Sequence, residues 1–215
     1  MKKILLTGFD PFDGEAINPA WEAVKDFEDR TYENIQVFVK QIPTVFYRSL
    51  DVLREAIEEV QPDIVICVGQ AGGRPDFTVE RVAINIDDAR IADNEGNQPV
   101  DEPIILNGPV AYWSTLPIKV IVQQVREAGI PASVSHTAGT FVCNHLFYGL
   151  QHLIATQSHN IRGGFVHIPY LPEQAARFPQ QPSMSIEQVS KALDITIKYS
   201  VAYESDIKAI EGQIS

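Results

Sequence analysis

Asp63-Ile64-Val65-Ile66-Cys67-Val68-Gly69-Gln70-Ala71-Gly72-Gly73-Arg74 sets five consecutive apolar residues between an acid and a glycine-rich turn. A run apolar at every position, rather than at every second one, fits a strand buried on both faces. Comparable runs rich in Ile and Val stand at residues 3–7, 35–40, 132–136 and 164–169. Helical patterns lie between most of them. Asn18-Pro19 supplies an N-cap and a proline at the first helical position, ahead of Trp21 and Val24. Thr44 is expected to open the next helix, with Leu50, Leu53, Ile57 and Val60 on one face. Ile118, Ile121, Val122 and Val125 keep helical spacing until Gly129 and Pro131 stop it, and Ser185 with Gln188 forms a capping box before Ile186, Val189, Leu193, Ile197 and Val201. Strands alternating with helices predict a parallel sheet with right-handed crossovers, helices on both faces and ligands at the carboxyl ends of the strands.

The chain has 215 residues, 45% hydrophobic and 21% charged, enough for a large core in one domain spanning residues 1–215. Seventeen Lys and Arg against 28 Asp and Glu leave a net charge of −11, the wrong sign for nucleic-acid or anionic membrane partners. Two cysteines make no disulfide framework, which fits a reducing, cytoplasmic setting. Met1 to Leu6 briefly imitates a signal peptide, but Gly8, Asp10 and Pro11 end the apolar run too soon. No stretch approaches the roughly 20 apolar residues of a membrane span. Residues 89–116 form the longest irregular stretch, of the kind that builds active-site or interface loops. The last ten or so residues are expected to pack loosely.

Several loop and strand ends carry residues with chemical potential. Phe9 and Phe12, three apart in Gly8-Phe9-Asp10-Pro11-Phe12-Asp13-Gly14, fit either a core contact or a pocket wall. The turn after Val68 offers backbone N–H groups to an anion, though its spacing matches neither phosphate-binding motif. Cys67 reads as an inert core thiol. Residues 77–87 read as one strand that places Glu80 on the face of Val82, Ile84 and Ile86. A carboxylate buried there needs a partner, either a nearby arginine or a histidine that it orients. Cys143 falls in the first turn of a helix, where the dipole and free N–H groups favour a thiolate nucleophile; a small packing residue fits as well.

His167, near the carboxyl end of Gly164-Phe165-Val166-His167-Ile168-Pro169, is the best-placed general base. His136 reads as a structural strand residue, and His145, His152 and His159 as solvated or satisfied surface residues on or just after the helix that follows Cys143. Glu80, Cys143 and His167 together supply acid, nucleophile and base. No metal spacing is present, and Asp87, Asp88 and Asp93 read as loop and turn acids.

Three segments resemble one family over nearly the whole chain, pyroglutamyl peptidase type I. Residues 69–85, GQAGGRPDFTVERVAIN, are similar to its glutamate signature with the acid at Glu80. Residues 137–150, TAGTFVCNHLFYGL, are similar to its cysteine signature with the nucleophile at Cys143. Residues 164–174, GFVHIPYLPEQ, match the histidine segment at His167, and the central loop INIDDARIADNEGNQP puts the family's oxyanion arginine at Arg90. The opening TGFDPFDGEAINPAWEA also matches, with Asp13 where the family commonly has glycine.

The resemblance implies a three-layer α/β/α domain with a mostly parallel twisted sheet, like that of phosphorylases and hydrolases. It implies a cytosolic, homotetrameric cysteine peptidase that needs no cofactor or metal and removes N-terminal pyroglutamyl residues from peptides. Phe9, Phe12 and Phe141 correspond to the family's pocket residues, with Gln70 able to bond the lactam and the Cys143 N–H able to join Arg90 at the oxyanion. A purine-phosphorylase-like enzyme and a non-catalytic module that binds a small ligand stand as alternatives.

Overall fold

The computed structural model describes residues 1–28, 30–156 and 160–212. In chain order the elements are β1 (Lys2–Phe9), α1 (Pro19–Val24), β2 (Ile35–Ile42), α2 (Arg48–Val60), β3 (Ile64–Gln70), β4 (Phe77–Glu80), β5 (Val82–Ile84) and β6 (Ala111–Trp113). There follow α3 (Ile118–Glu127), β7 (Ala132–Ser135), α4 (Val142–Thr156), β8 (Arg162–Ile168), α5 (Pro172–Ala175) and α6 (Ile186–Ala202). Six strands form one sheet in the order β2-β1-β3-β8-β4-β7, and β5 pairs with β6 alone.

The apolar runs are buried on both faces, as their composition requires. On one side Ile4, Leu6, Ile64, Ile66 and Val68 pack against α1, α3 and α6; on the other Leu5, Val65, Cys67 and Phe165 pack against α2 and α4. Helices on both faces of a mostly parallel sheet make the α/β architecture expected. Asn18 caps α1, its side chain accepting from the Ala20 N–H, and Ser185 with Gln188 forms the capping box of α6. Gly129, at φ +82°, follows α3 as its left-handed stop.

Four sequence expectations are corrected. Thr44 does not open α2: its N–H and hydroxyl donate to Asp10, and the helix starts at Arg48, after Tyr47 at φ +60°. Residues 77–87 are not one strand, because the chain leaves the main sheet after Glu80 and pairs with β6 from Val82. The sheet is not wholly parallel: β4 is antiparallel to β8 and carries β7 with it. The tail, where loose packing was expected, is tied down at points as far as Glu211 although Ile210 stays exposed, and residues 213–215 lie outside the described residues. Asp206 accepts from the N–H groups of Lys119 and Val120, which the proline at the N-cap of α3 cannot satisfy, and Glu211 bonds Arg126 and Arg81.

Candidate active site

β3 and β8 run parallel, with Gly69 the register partner of His167. Both residues share strand parity with Cys67 and Phe165 and so face α4. Cys143 is the second residue of α4, half-exposed, and a β-carbon added at Gly69 would stand 2.9 Å from its Sγ. Thiol and imidazole therefore lie over neighbouring strands at one register level. Because Cys143 is in the first turn of α4, its backbone N–H has no intrahelical acceptor and is available to an oxyanion.

Glu80 reaches the site from a strand of opposite direction. Thr78 pairs with His167 across the β4–β8 ladder, and two residues on, Glu80 is fully buried with Oε1 2.8 Å from His167 Nδ1. A carboxylate only accepts, so Nδ1 carries the proton and Nε2 is left with a free lone pair. The second partner of Glu80 Oε1 is Arg74 Nη1 at 2.6 Å. Arginine and histidine were alternatives on parity; the structure uses both on one oxygen. The apolar residues of β4, Phe77 and Val79, face the other core, so Glu80 shares its face with Thr78.

Burial pushes the Glu80 carboxyl up, but the hydrogen bond from His167, with Ser135 and the Arg74 charge behind it, holds the carboxyl below its ordinary range. Burial, with the Arg74 charge beside it, pushes His167 down by more than the hydrogen bond and charge of Glu80 raise it, which favours the neutral imidazole. Burial also pushes the Cys143 thiol up to about 12, the Glu80 charge adding to it and Arg74 opposing it. A thiolate is expected at a helix N-terminus, but burial and the Glu80 charge act against it here. The resting site is a thiol beside a neutral base. Cys67 is the inert core thiol expected, also raised to about 12 by burial.

The remaining candidates lie on the neighbouring strand ends and loops. Phe9 is buried with its ring centroid 6.3 Å from that of Phe165, whereas Phe12 is half-buried, 6.2 Å from Phe141. Phe141 in turn meets Phe46 edge-on at 5.3 Å. Gln70 ends β3, its Oε1 accepting from Gln174 Nε2 at 3.3 Å. Arg90 is exposed, two residues past Asp88, whose backbone is tied to Thr140 in the loop before α4. Asp13 sits at φ +54°, a left-handed position that suits the family's glycine and that aspartate tolerates better than most residues. The glycine-rich turn serves packing: a β-carbon on Gly72 would collide with Tyr170.

Some readings of single residues change. His136 lies just past β7 and is exposed. His145 and Asp87 are not surface groups but a fully buried pair, Nδ1 to Oδ2 at 2.7 Å. His152 bonds the Tyr112 hydroxyl, Asp93 is the turn acid expected, and His159 lies outside the described residues. Phe46 and Arg74 were not singled out. The signal for Arg74 was a cation six residues before an acid that had to be paired. Among the described residues no three His, Cys, Asp or Glu side chains are grouped to hold a metal, and no helix is long and apolar enough to cross a membrane.

Sheet, helix and polar group define an α/β protein in which a thiol, an imidazole and a buried carboxylate meet where strands and helix converge. The chain belongs to the pyroglutamyl peptidase family, a family of cysteine peptidases, whose model matches residues 2–203. It is 60% identical over 212 residues to a pyrrolidone-carboxylate peptidase of Bacillus cereus (strain Q1), covering 99% of each chain. The fold matches pyroglutamyl peptidase I of Bacillus amyloliquefaciens with a TM-score of 0.94 at 58% identity, over 96% of this chain and all of that one. It also matches pyrrolidone carboxyl peptidase from Thermococcus litoralis with a TM-score of 0.94 at 38% identity, over 98% of this chain and all of that one. These matches favour the peptidase reading over the phosphorylase-like and binding-module alternatives.

Proposed function

We propose that the protein hydrolyses the bond after an N-terminal pyroglutamyl residue, with Cys143 as nucleophile, His167 as base and then acid, and Glu80 as the group that orients His167. His167 Nε2 takes the thiol proton as sulfur attacks the pyroglutamyl carbonyl carbon, and the oxyanion is held by the Cys143 N–H and Arg90. The tetrahedral intermediate expels the peptide amine, which receives the proton from His167. Water, deprotonated by the same nitrogen, then cleaves the thioester to release pyroglutamate and the thiol. The observation that carries this reading is the convergence of Cys143 Sγ on Gly69, the register partner of His167, whose Nδ1 is bonded to buried Glu80.

A flat lactam with one N–H and one C=O fits between aromatic walls with few polar groups. Phe12 and Phe141 form the walls, Phe9 the floor. Since Gln70 Oε1 is engaged by Gln174, its amide N–H groups are the part free to donate to the lactam carbonyl. Proline lacks that carbonyl and leaves the donor unmatched, which gives selectivity.

The protein works as a single domain, both cores sharing one sheet, in the cytoplasm, where its thiol stays reduced. It acts as a homotetramer; Leu106, Val110 and Trp113, exposed on and before β6, offer an apolar face to further copies. The test is release of a fluorescent amine from a pyroglutamyl amide and from the prolyl amide, before and after thiol alkylation. Selective turnover, abolished by a modification mapped to Cys143 and reduced on the order of 10³-fold or more in Cys143→Ala, is expected. No turnover by the folded, reduced protein overturns the reading.

A further inference from the structure

We infer that Arg74 is a positioning residue for the catalytic base: its guanidinium shares Glu80 with His167 and so keeps the imidazole neutral and oriented to accept the thiol proton. The inference rests on the peptidase reading above. Glu80 presents one working oxygen: Oε1 accepts from Arg74 Nη1 at 2.6 Å and His167 Nδ1 at 2.8 Å, while Oε2 is buried without a hydrogen-bond partner among the described residues. Whatever occupies the Arg74 position therefore decides how much of the carboxylate charge is left to His167.

Arg74 is held too firmly for an incidental ion pair. Its Nη1 also donates to Thr78 Oγ1 at 3.0 Å and Ser135 Oγ at 3.2 Å, and Nη2 to the Thr137 carbonyl at 2.7 Å. These contacts tie it to β4, to β7 and to the segment leading into α4. The charged groups acting on His167 are Glu80 from β4 and Arg74 from the β3–β4 connection, and the Cys143 thiol of α4 lies over Gly69, the register partner of His167. Without the cation at position 74, Glu80 has His167 as its one remaining ionic partner among the described residues, burial alone opposes the carboxylate, and the imidazole holds its proton to higher pH. An imidazolium cannot take the thiol proton.

The guanidinium also lines a cleft of about 340 Å³, with Pro75, Asp76, Ser133, His136 and Thr137, so its place is reachable from solvent. That allows a test that a purely structural role would not pass. The experiment follows the His167 ring signals by NMR against pH in wild type, Arg74→Gln and Arg74→Lys, with kcat/KM profiles for pyroglutamyl amide in parallel. In Arg74→Gln the His167 midpoint is expected to rise by about one pH unit, the acid limb of kcat/KM rising with it. Arg74→Lys, which keeps the charge, stays near wild type in midpoint. In Arg74→Ala, tens of millimolar guanidinium restores kcat/KM at least several-fold, while equal sodium chloride does not. An unmoved His167 midpoint in folded Arg74→Gln, or guanidinium no better than salt, overturns the inference. The NMR midpoint needs no turnover, so a wild-type protein inactive on the amide would overturn the peptidase reading while the Arg74–His167 coupling is still read separately.

Discussion

Cys143 Sγ rests against the backbone of Gly69, 2.9 Å from the point where a β-carbon would stand, and the same point is 2.8 Å from Cζ of Phe165. Only a hydrogen fits between strand and sulfur. Gly69→Ala is therefore expected to push the thiol off its position beside His167, lowering kcat by about 10²-fold, because such displacements of a reacting atom cost that much. Overpacking should destabilise the fold by about 1–3 kcal/mol. Steady-state kinetics beside urea unfolding checks both, and wild-type kcat in this variant would mean that the thiol is not confined there.

The resting thiol and neutral imidazole have a definite pH signature. With burial raising Cys143 to about 12, inactivation by iodoacetamide should keep accelerating through pH 9. A plateau by neutral pH would reveal a preformed thiolate instead. His167 is depressed, so between its folded value and the ordinary value near 6.5 the folded protein keeps the base that an exposed histidine would have lost. The acid limb of kcat/KM should therefore fall below the ordinary histidine range. On the stability side the unfolded chain binds the extra proton in that window, so stability declines as pH falls through it.

Glu80→Gln separates orientation from charge. Arg74 Nη1 donates at the Oε1 position, so the amide must place its carbonyl there, where it still accepts from His167 Nδ1. The tautomer survives and the charge is lost. Activity should fall by roughly 10- to 10²-fold, short of the loss that follows when a base is locked in the wrong tautomer. The protein should stay folded, since the new NH₂ group occupies the site of Oε2, which already has no hydrogen-bond partner. Unchanged kcat would make Glu80 a structural residue.

The two-sided strands, the caps of α1 and α6 and the stop after α3 could all be read locally, because each depends on residues a few positions apart. The placement of Cys143 at a helix start and of His167 near a strand end was legible for the same reason, whereas Glu80 was read inside a longer strand rather than at the end of β4. The reversal of β4 was not: alternation at residues 77–87 continues across Arg81, and only the pairing with β8 and β6 shows where the chain changes sheets. Arg74 and Phe46 escaped notice since their roles come from contacts with Glu80 and Phe141, on other elements. His145 was misread because polarity on a helix suggests exposure unless the partner, here Asp87 on a separate loop, is known.

That buried pair supports the site from behind. His145 Nε2 accepts the Tyr47 N–H at 3.0 Å, so its proton is on Nδ1 and is donated to Asp87 Oδ2 at 2.7 Å. The ring also meets Phe46 edge-on at 5.4 Å, and Phe46 meets Phe141 of the pocket wall. Removing the imidazole leaves a fully buried carboxylate without its side-chain partner, and Asp87 Oδ1 is unpartnered among the described residues already. His145→Leu is expected to cost about 3–5 kcal/mol. In Asp87→Leu/His145→Leu the loss should be well below the sum of the single variants, since neither polar group is then stranded. Chemical denaturation of the four proteins gives the coupling directly. Additive losses would mean that the two side chains contribute independently, and a loss under about 1 kcal/mol in His145→Leu would mean that Asp87 finds another partner.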